Sequence, residues 1–125
     1  MNWTEMEIFK GIDLNDSFVL SWLKSENDVT FNIEASIWPE SSFYETPSND
    51  EYTCYKKACL SFRNVEGISG LLEMSDVNPS VDANNESDYG NIDSLNNHGS
   101  VFLIEGDFGS VSIVGGDIYF EINET

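Results

Sequence analysis

From Val29 to Ile37 apolar and polar residues alternate without a break. Val29, Phe31, Ile33, Ala35 and Ile37 fall on one phase, and Thr30, Asn32, Glu34 and Ser36 on the other. A period of two marks a strand with one face on a core and the other in water. Ahead of it, Ser17 to Leu23 offers Phe18, Leu20 and Trp22 on one face, and the polar run Lys24 to Asp28 reads as the hairpin loop between the two. Near the C-terminus, Gly106-Asp107 and Gly115-Gly116 both read as two-residue hairpin turns, in which glycine supplies the positive φ. Together they set a register: Ile113 opposite Ile118 and Val111 opposite Phe120 on one side, Val111 opposite Phe102 and Gly109 opposite Ile104 on the other. Phe102, Ile104, Val111, Ile113, Ile118, Phe120 and Ile122 then share one face, which predicts a three-stranded meander over 100–122.

The middle of the chain is less regular. Tyr52 to Phe62 reads as a strand with Ala58, Leu60 and Phe62 inward, and Val65 to Met74 as another, bent or bulged at Gly67 and Gly70. Pro39 to Asp50 and Ser75 to Gly99 are loops by composition, the second unusually long for a compact domain. The N-terminal dozen fits either a helix capped through Thr4 and Glu7 or a short edge strand on the Met6, Ile8 alternation. There is no internal repeat. The expectation is one all-β domain over residues 1–125, an antiparallel sandwich or partly open barrel of six to seven strands ending in the meander.

Composition adds that such a core can be filled: 40% of the 125 residues are apolar, with eight Phe, five Tyr and three Trp. Charge changes the picture more. There are 23 acidic residues against five basic ones, a formal net of -18. Lys10, Lys24, Lys56, Lys57 and Arg63 all lie in the first half, and the twelve acids from Asn64 onward have no Lys or Arg among them. A field of that sign repels nucleic acid and anionic membranes and attracts cationic partners. Nothing reads as a signal peptide or a membrane-spanning run. Cys54 and Cys59 are five apart in one predicted strand, hence on opposite faces, and read as free thiols of a reducing, cytoplasmic compartment.

Catalytic and metal chemistry find little purchase. Asp76, Asp82, Glu86, Asp88 and Asp93 form an oxygen-rich stretch, and the run beginning at Asp82 superficially matches a calcium loop. However, Ser87 stands where glycine is needed and Asp93 where a bidentate Glu is needed, so neither a metal nor another cofactor is expected. His98 is the single histidine and has no nucleophile motif to serve, so it reads as a turn residue. No phosphate-cradling glycine loop is present. Trp3, Trp38, Phe43, Tyr44, Tyr52, Tyr55 and Tyr89 sit on or beside predicted loops or on polar-side strand positions, where aromatics either cover the open ends of a sandwich or anchor a partner.

Asn15-Asp16-Ser17 followed by Phe18 to Trp22 and a second strand resembles the opening hairpin of small bacterial β-proteins that include immunity proteins of polymorphic toxin systems. The likeness extends in pattern to the C-terminal strands. The segments Asp88 to Asp93 and Gly106 to Gly109 look like fixed features of the same kind. The resemblance implies a cytoplasmic, non-enzymatic protein that binds and blocks a partner, and the charge suits a cationic protein partner. Trp38, Phe43, Tyr44, Asp82, Glu86 and Asp88 are the candidate partner-binding residues. The alternative is a β-sandwich binding Ca²⁺ or carbohydrate through the acidic stretch or the exposed aromatics. Thiol titration under denaturing, non-reducing conditions is expected to find two reactive groups; finding none would mean that the strand carrying Cys54 and Cys59 is broken between them.

Overall fold

A computed structural model describes residues 1–47, 53–81 and 85–123. The described residues form ten strands: β1 (Ile12–Lys24), β2 (Val29–Ile37), β3 (Cys54–Arg63), β4 (Gly67–Leu71), β5 (Ser80–Val81), β6 (Ser87–Asp88), β7 (Ile92–His98), β8 (Val101–Gly106), β9 (Gly109–Val114) and β10 (Asp117–Ile122). The first sheet has the order β1-β2-β3-β10, the second β4-β9-β8-β7, and β5 pairs with β6 as a separate ribbon. All pairings are antiparallel. The fold is therefore an all-β, two-sheet structure that does not close into a barrel, with more strands than the six or seven expected.

The alternation in β2 explains why it sits inside its sheet. Val29, Phe31, Ile33, Ala35 and Ile37 are all fully buried, and their neighbours across β3 are Phe62, Leu60, Ala58, Lys56 and Cys54. Fully burying a Phe or Ile side chain is worth ~1.5–3 kcal/mol, so this one strand face is a large share of the driving force. The sheets meet through aromatics. Phe31 lies 4.8 Å from Phe108 between ring centroids, Trp22 lies 6.0 Å from Phe108, and Phe62 lies 5.3 Å from Phe102. Phe102 of β8 therefore packs on β3, and Phe108, in the turn after β8, packs on β2 and β1.

Two features depart from the sequence pattern in β1. The register slips between Val19 and Ser21, and again between Asp13 and Phe18. The bulge at Leu20 turns the phase, so Val19 and Trp22 are buried while Phe18 and Leu20 are only half-buried. The wider excursion is stitched by Ser17, whose hydroxyl donates to the Asp13 carbonyl at 2.8 Å and accepts from the Ser36 N–H at 3.0 Å. Cys54 and Cys59 lie on opposite faces of β3 as free thiols, and β4 carries its bulge at Gly70.

The C-terminal expectation needs correcting. The turn after β8 is Gly106 to Gly109 with Asp107 and Phe108 at its tip, so Phe102 faces Ile113 and Ile104 faces Val111. The predicted register is off by two, which leaves every side chain on its predicted face. The larger error concerns β10. It does not pair with β9 but crosses to β3, placing Ile118 opposite Phe62, Phe120 opposite Leu60 and Ile122 opposite Ala58. The meander of the second sheet is instead β7-β8-β9. Gly115 and Gly116, at φ +74° and +79°, form the corner between sheets. A Cβ at Gly116 would overlap the carbonyl oxygen of Arg63. The expected long loop also proves to hold a 3₁₀ turn (Met74–Asp76), the β5-β6 ribbon and β7. In β7 a register slip between Ile92 and Ser94 puts Ile92 and Leu95 on one face, which hides its period from the sequence.

Gly116→Ala should cost about 1–3 kcal/mol, the usual scale for a strained left-handed residue, before any cost of moving the Arg63 carbonyl. Urea unfolding measures it, and an unchanged midpoint would show that the corner tolerates a side chain.

Candidate binding surface

The N-terminus closes one end of the sandwich. Asn2 caps a 3₁₀ turn over Trp3–Glu5: its Oδ1 accepts from the Thr4 N–H at 3.2 Å, and its own N–H donates to Glu5 Oε1 at 3.1 Å. The capping box is thus built on Asn2 and Glu5 rather than on Thr4 and Glu7, and Met6 and Ile8 form no strand. A second 3₁₀ turn covers Glu7–Phe9. Asn2 also bridges to Asn96, and Met1 and Asn97 exchange two hydrogen bonds at 2.7 Å, which covers the outer edge of β7. Trp3 stands edge-on to Phe9, and Phe9 lies 5.3 Å from Phe120. These rings are buried or half-buried, whereas Ile8 between them in sequence points outward and is 39% exposed.

Beside this plug, the chain leaving β2 folds back in tight turns. The Trp38 N–H donates to the Gly11 carbonyl at 2.8 Å, the Ser41 N–H to the Trp38 carbonyl at 3.0 Å, and the Phe43 N–H to Ser41 Oγ at 3.2 Å. The Lys56–Glu45 ion pair at 3.1 Å and the Glu45 N–H to Cys54 Sγ contact tie the segment to β3. Two adjoining depressions result, both lined by Lys10 and Glu40. The smaller runs along the 3₁₀ turns to Trp38. The larger, about 650 Å³, is an open groove between Ile8, Ile12 and Phe43 on one side and Phe120 and Ile122 on the other. Glu5, Glu7, Glu40 and Glu121 line the two depressions against the single cation Lys10.

The residues expected to bind a partner do not converge. Trp38 and Phe43 lie at this end, 37% and 36% exposed, where Ile12 pairs with Ile37. Tyr44 is half-buried and packs against the core. Glu86 is exposed and Asp88 half-buried beside the far part of β1, and Asp82 lies outside the described residues. Asp88 Oδ1 accepts from the Gly90 N–H at 2.8 Å, so this carboxylate shapes a turn. The acids around it are dispersed over the 3₁₀ turn at Asp76, β6 and β7. Among the described residues, no group of three or more His, Cys, Asp or Glu is placed to hold a metal ion.

Of the two segments that look fixed in sequence, Asp88 to Asp93 is bonded to β1. The Tyr89 N–H donates to the Val19 carbonyl and the Val19 N–H to the Gly90 carbonyl, both at 2.8 Å. Asn91 Nδ2 donates to the Ser17 carbonyl, and Asn15 Nδ2 to the carbonyls of Ile92 and Asp93. Residues 15–17 and 88–93 therefore sew β1 to β7, and Phe108 of the other segment fills the core. Ile8, Lys10, Glu40, Phe120, Glu121 and Ile122 line the groove without having been singled out. The one available sign was the strict alternation of Asp117 to Ile122, which the meander had absorbed.

Compared with protein-family models, curated proteins and solved structures, the chain matches none. The three tryptophans separate cleanly, with Trp3 and Trp22 at 5% and 7% exposure against 37% for Trp38. Trp38→Phe should therefore abolish most acrylamide quenching of fluorescence while shifting stability by no more than about 0.5 kcal/mol, as for surface sites generally. Quenching that survives the substitution would place a different indole at the surface.

Proposed function

We propose that this chain is a non-enzymatic, cytoplasmic binding protein of the immunity type, which covers a basic site on a protein partner through the end of the sandwich carrying Trp38 and Phe43. The observation that carries this reading is a charge imbalance next to exposed apolar anchors. Five cations cannot neutralise 23 carboxylates, and two of the five, Lys56 and Arg63, are already in ion pairs with Glu45 and Glu121. The remaining field acts at a distance, accelerating encounter with a cationic surface and disfavouring nucleic acid. Ile8, Trp38 and Phe43 act at contact, where burial of apolar area slows dissociation. No helix among the described residues is long and apolar enough to cross a membrane.

The test is capture of a partner from the native host, followed by association kinetics at two salt concentrations. The on-rate should fall about tenfold or more from 0.05 to 0.5 M salt, because the screening length shortens severalfold over that range. Glu7→Gln with Glu40→Gln should lower the on-rate, and Phe43→Ala with Trp38→Ala should raise the off-rate. A captured partner with an acidic or neutral contact face, or an on-rate indifferent to salt, would contradict the reading.

A further inference from the structure

Four strand edges bound the two sheets, and they are not equally protected. The edge of β1 is covered by residues 89–91 and that of β7 by residues 1–2. β4 is short and bulged at Gly70. β10 is different: its register with β3 is unbroken over six residue pairs, and among the described residues no other segment bonds to its backbone between Asp117 and Ile122. An unpaired regular edge is a template for another strand unless something discourages pairing.

The geometry states which groups that template offers. The Asn123 N–H donates to the Lys57 carbonyl at 2.8 Å, and Asn123 continues the β10 register directly opposite Lys57. In an antiparallel pair, bonded and non-bonded positions alternate. The backbone groups of Asp117, Tyr119, Glu121 and Asn123 therefore face β3, and those of Ile118, Phe120 and Ile122 face outward. The side chains follow the opposite rule. Ile118, Phe120 and Ile122 turn toward the core and are half-buried, while Asp117, Tyr119 and Glu121 are exposed on the outer face. A strand laid on this edge would send alternate side chains into the groove of Ile8, Ile12 and Phe43, and the others alongside Asp117 and Glu121.

Resting on the reading above, we infer that β10 is the docking edge, and that it takes an extended segment of the cationic partner in which apolar residues alternate with Lys or Arg. Charge selects this occupant over a second copy of the chain. A copy brings the same net charge of -18, and pairing β10 with itself about Tyr119 sets Asp117 opposite Glu121 on both sides. The local acids are not overwhelming, since Lys10 lines the groove and Arg63 lies 3.7 Å from Glu121 and 4.5 Å from the Tyr119 ring. Backbone pairing supplies affinity and the alternating side chains supply selection.

The test titrates the full chain with the peptide acetyl-Lys-Ile-Lys-Val-Lys-Ile-Lys-amide and follows amide hydrogen exchange by NMR. Exchange at Ile118, Phe120 and Ile122 should slow by about tenfold or more, while Tyr119 and Glu121, already bonded to β3, change little. N-methylating one alternate set of the peptide's amides should abolish binding, and N-methylating the other set should leave it. Equal slowing at both sets of β10 amides, protection confined to β4, or no binding would overturn strand addition. So would equal binding of the same peptide with Glu in place of Lys. A salt-dependent association without the alternating pattern would remove only strand addition and leave the charge-based reading standing, because that reading is decided by partner kinetics.

Discussion

The corner at Gly115-Gly116 is the constraint on which the rest of this surface depends. Both residues take a left-handed backbone, and a Cβ on the second would overlap the Arg63 carbonyl. Gly116 has no room for a side chain, and Gly115 takes a left-handed φ that glycine adopts most readily, so the pair lets the chain leave β9 and re-emerge beside β3 in the other sheet. The consequence is that Ile118, Phe120 and Ile122 extend the core-facing side of the first sheet and stay half-buried against the core. Phe9 of the second 3₁₀ turn packs on Phe120, which is still half-buried. A hairpin at the same position would have kept those residues in the second sheet, and no groove would exist between β10 and Phe43.

Elsewhere the molecule is careful with its edges. The β1 excursion held by Ser17 and the segment 89–93 lock one seam between the sheets, and the N-terminal residues lock the edge of β7. The free edge of β10 is bonded by no other described segment, and the groove beside it is bordered by Ile8, Ile12 and residues 40–43. That asymmetry is what gives the acidic charge a direction. On the proposed function a uniform field draws a cationic partner toward the whole protein, and among the described residues the β10 edge brings apolar side chains, unpaired backbone and flanking carboxylates together.

How much of this was legible in the sequence follows from the reach of each signal. Alternation is local, and it placed β2, the inward faces of β3, β8 and β9, and the hairpin loop after Lys24. It also identified which residues of β10 face the core. It did not identify which core, because a period of two is the same whether a strand pairs with β9 or β3. Bulges defeated it in β1 and β7: one extra residue inverts the phase after Val19 and brings Ile92 and Leu95 onto one side. The site was half visible for the same reason. Trp38 and Phe43 were conspicuous as aromatics beside a loop, whereas Ile8 and Phe120 come to line the groove only through the crossing of β10 and the packing of the N-terminal turns. The turn that the Asp88 carboxylate makes with the Gly90 N–H was not legible, because it leaves no trace in composition.

On the proposed function, partners meet this protein at the free edge of β10. Backbone amide shift mapping with the captured partner tests it most directly. The account predicts that the perturbed residues will include Ile8, Trp38, Phe43 and the stretch from Ile118 to Ile122. A footprint centred instead on Glu86 to Asn91, or on the outer face of the second sheet around Leu103 and Val114, would contradict it.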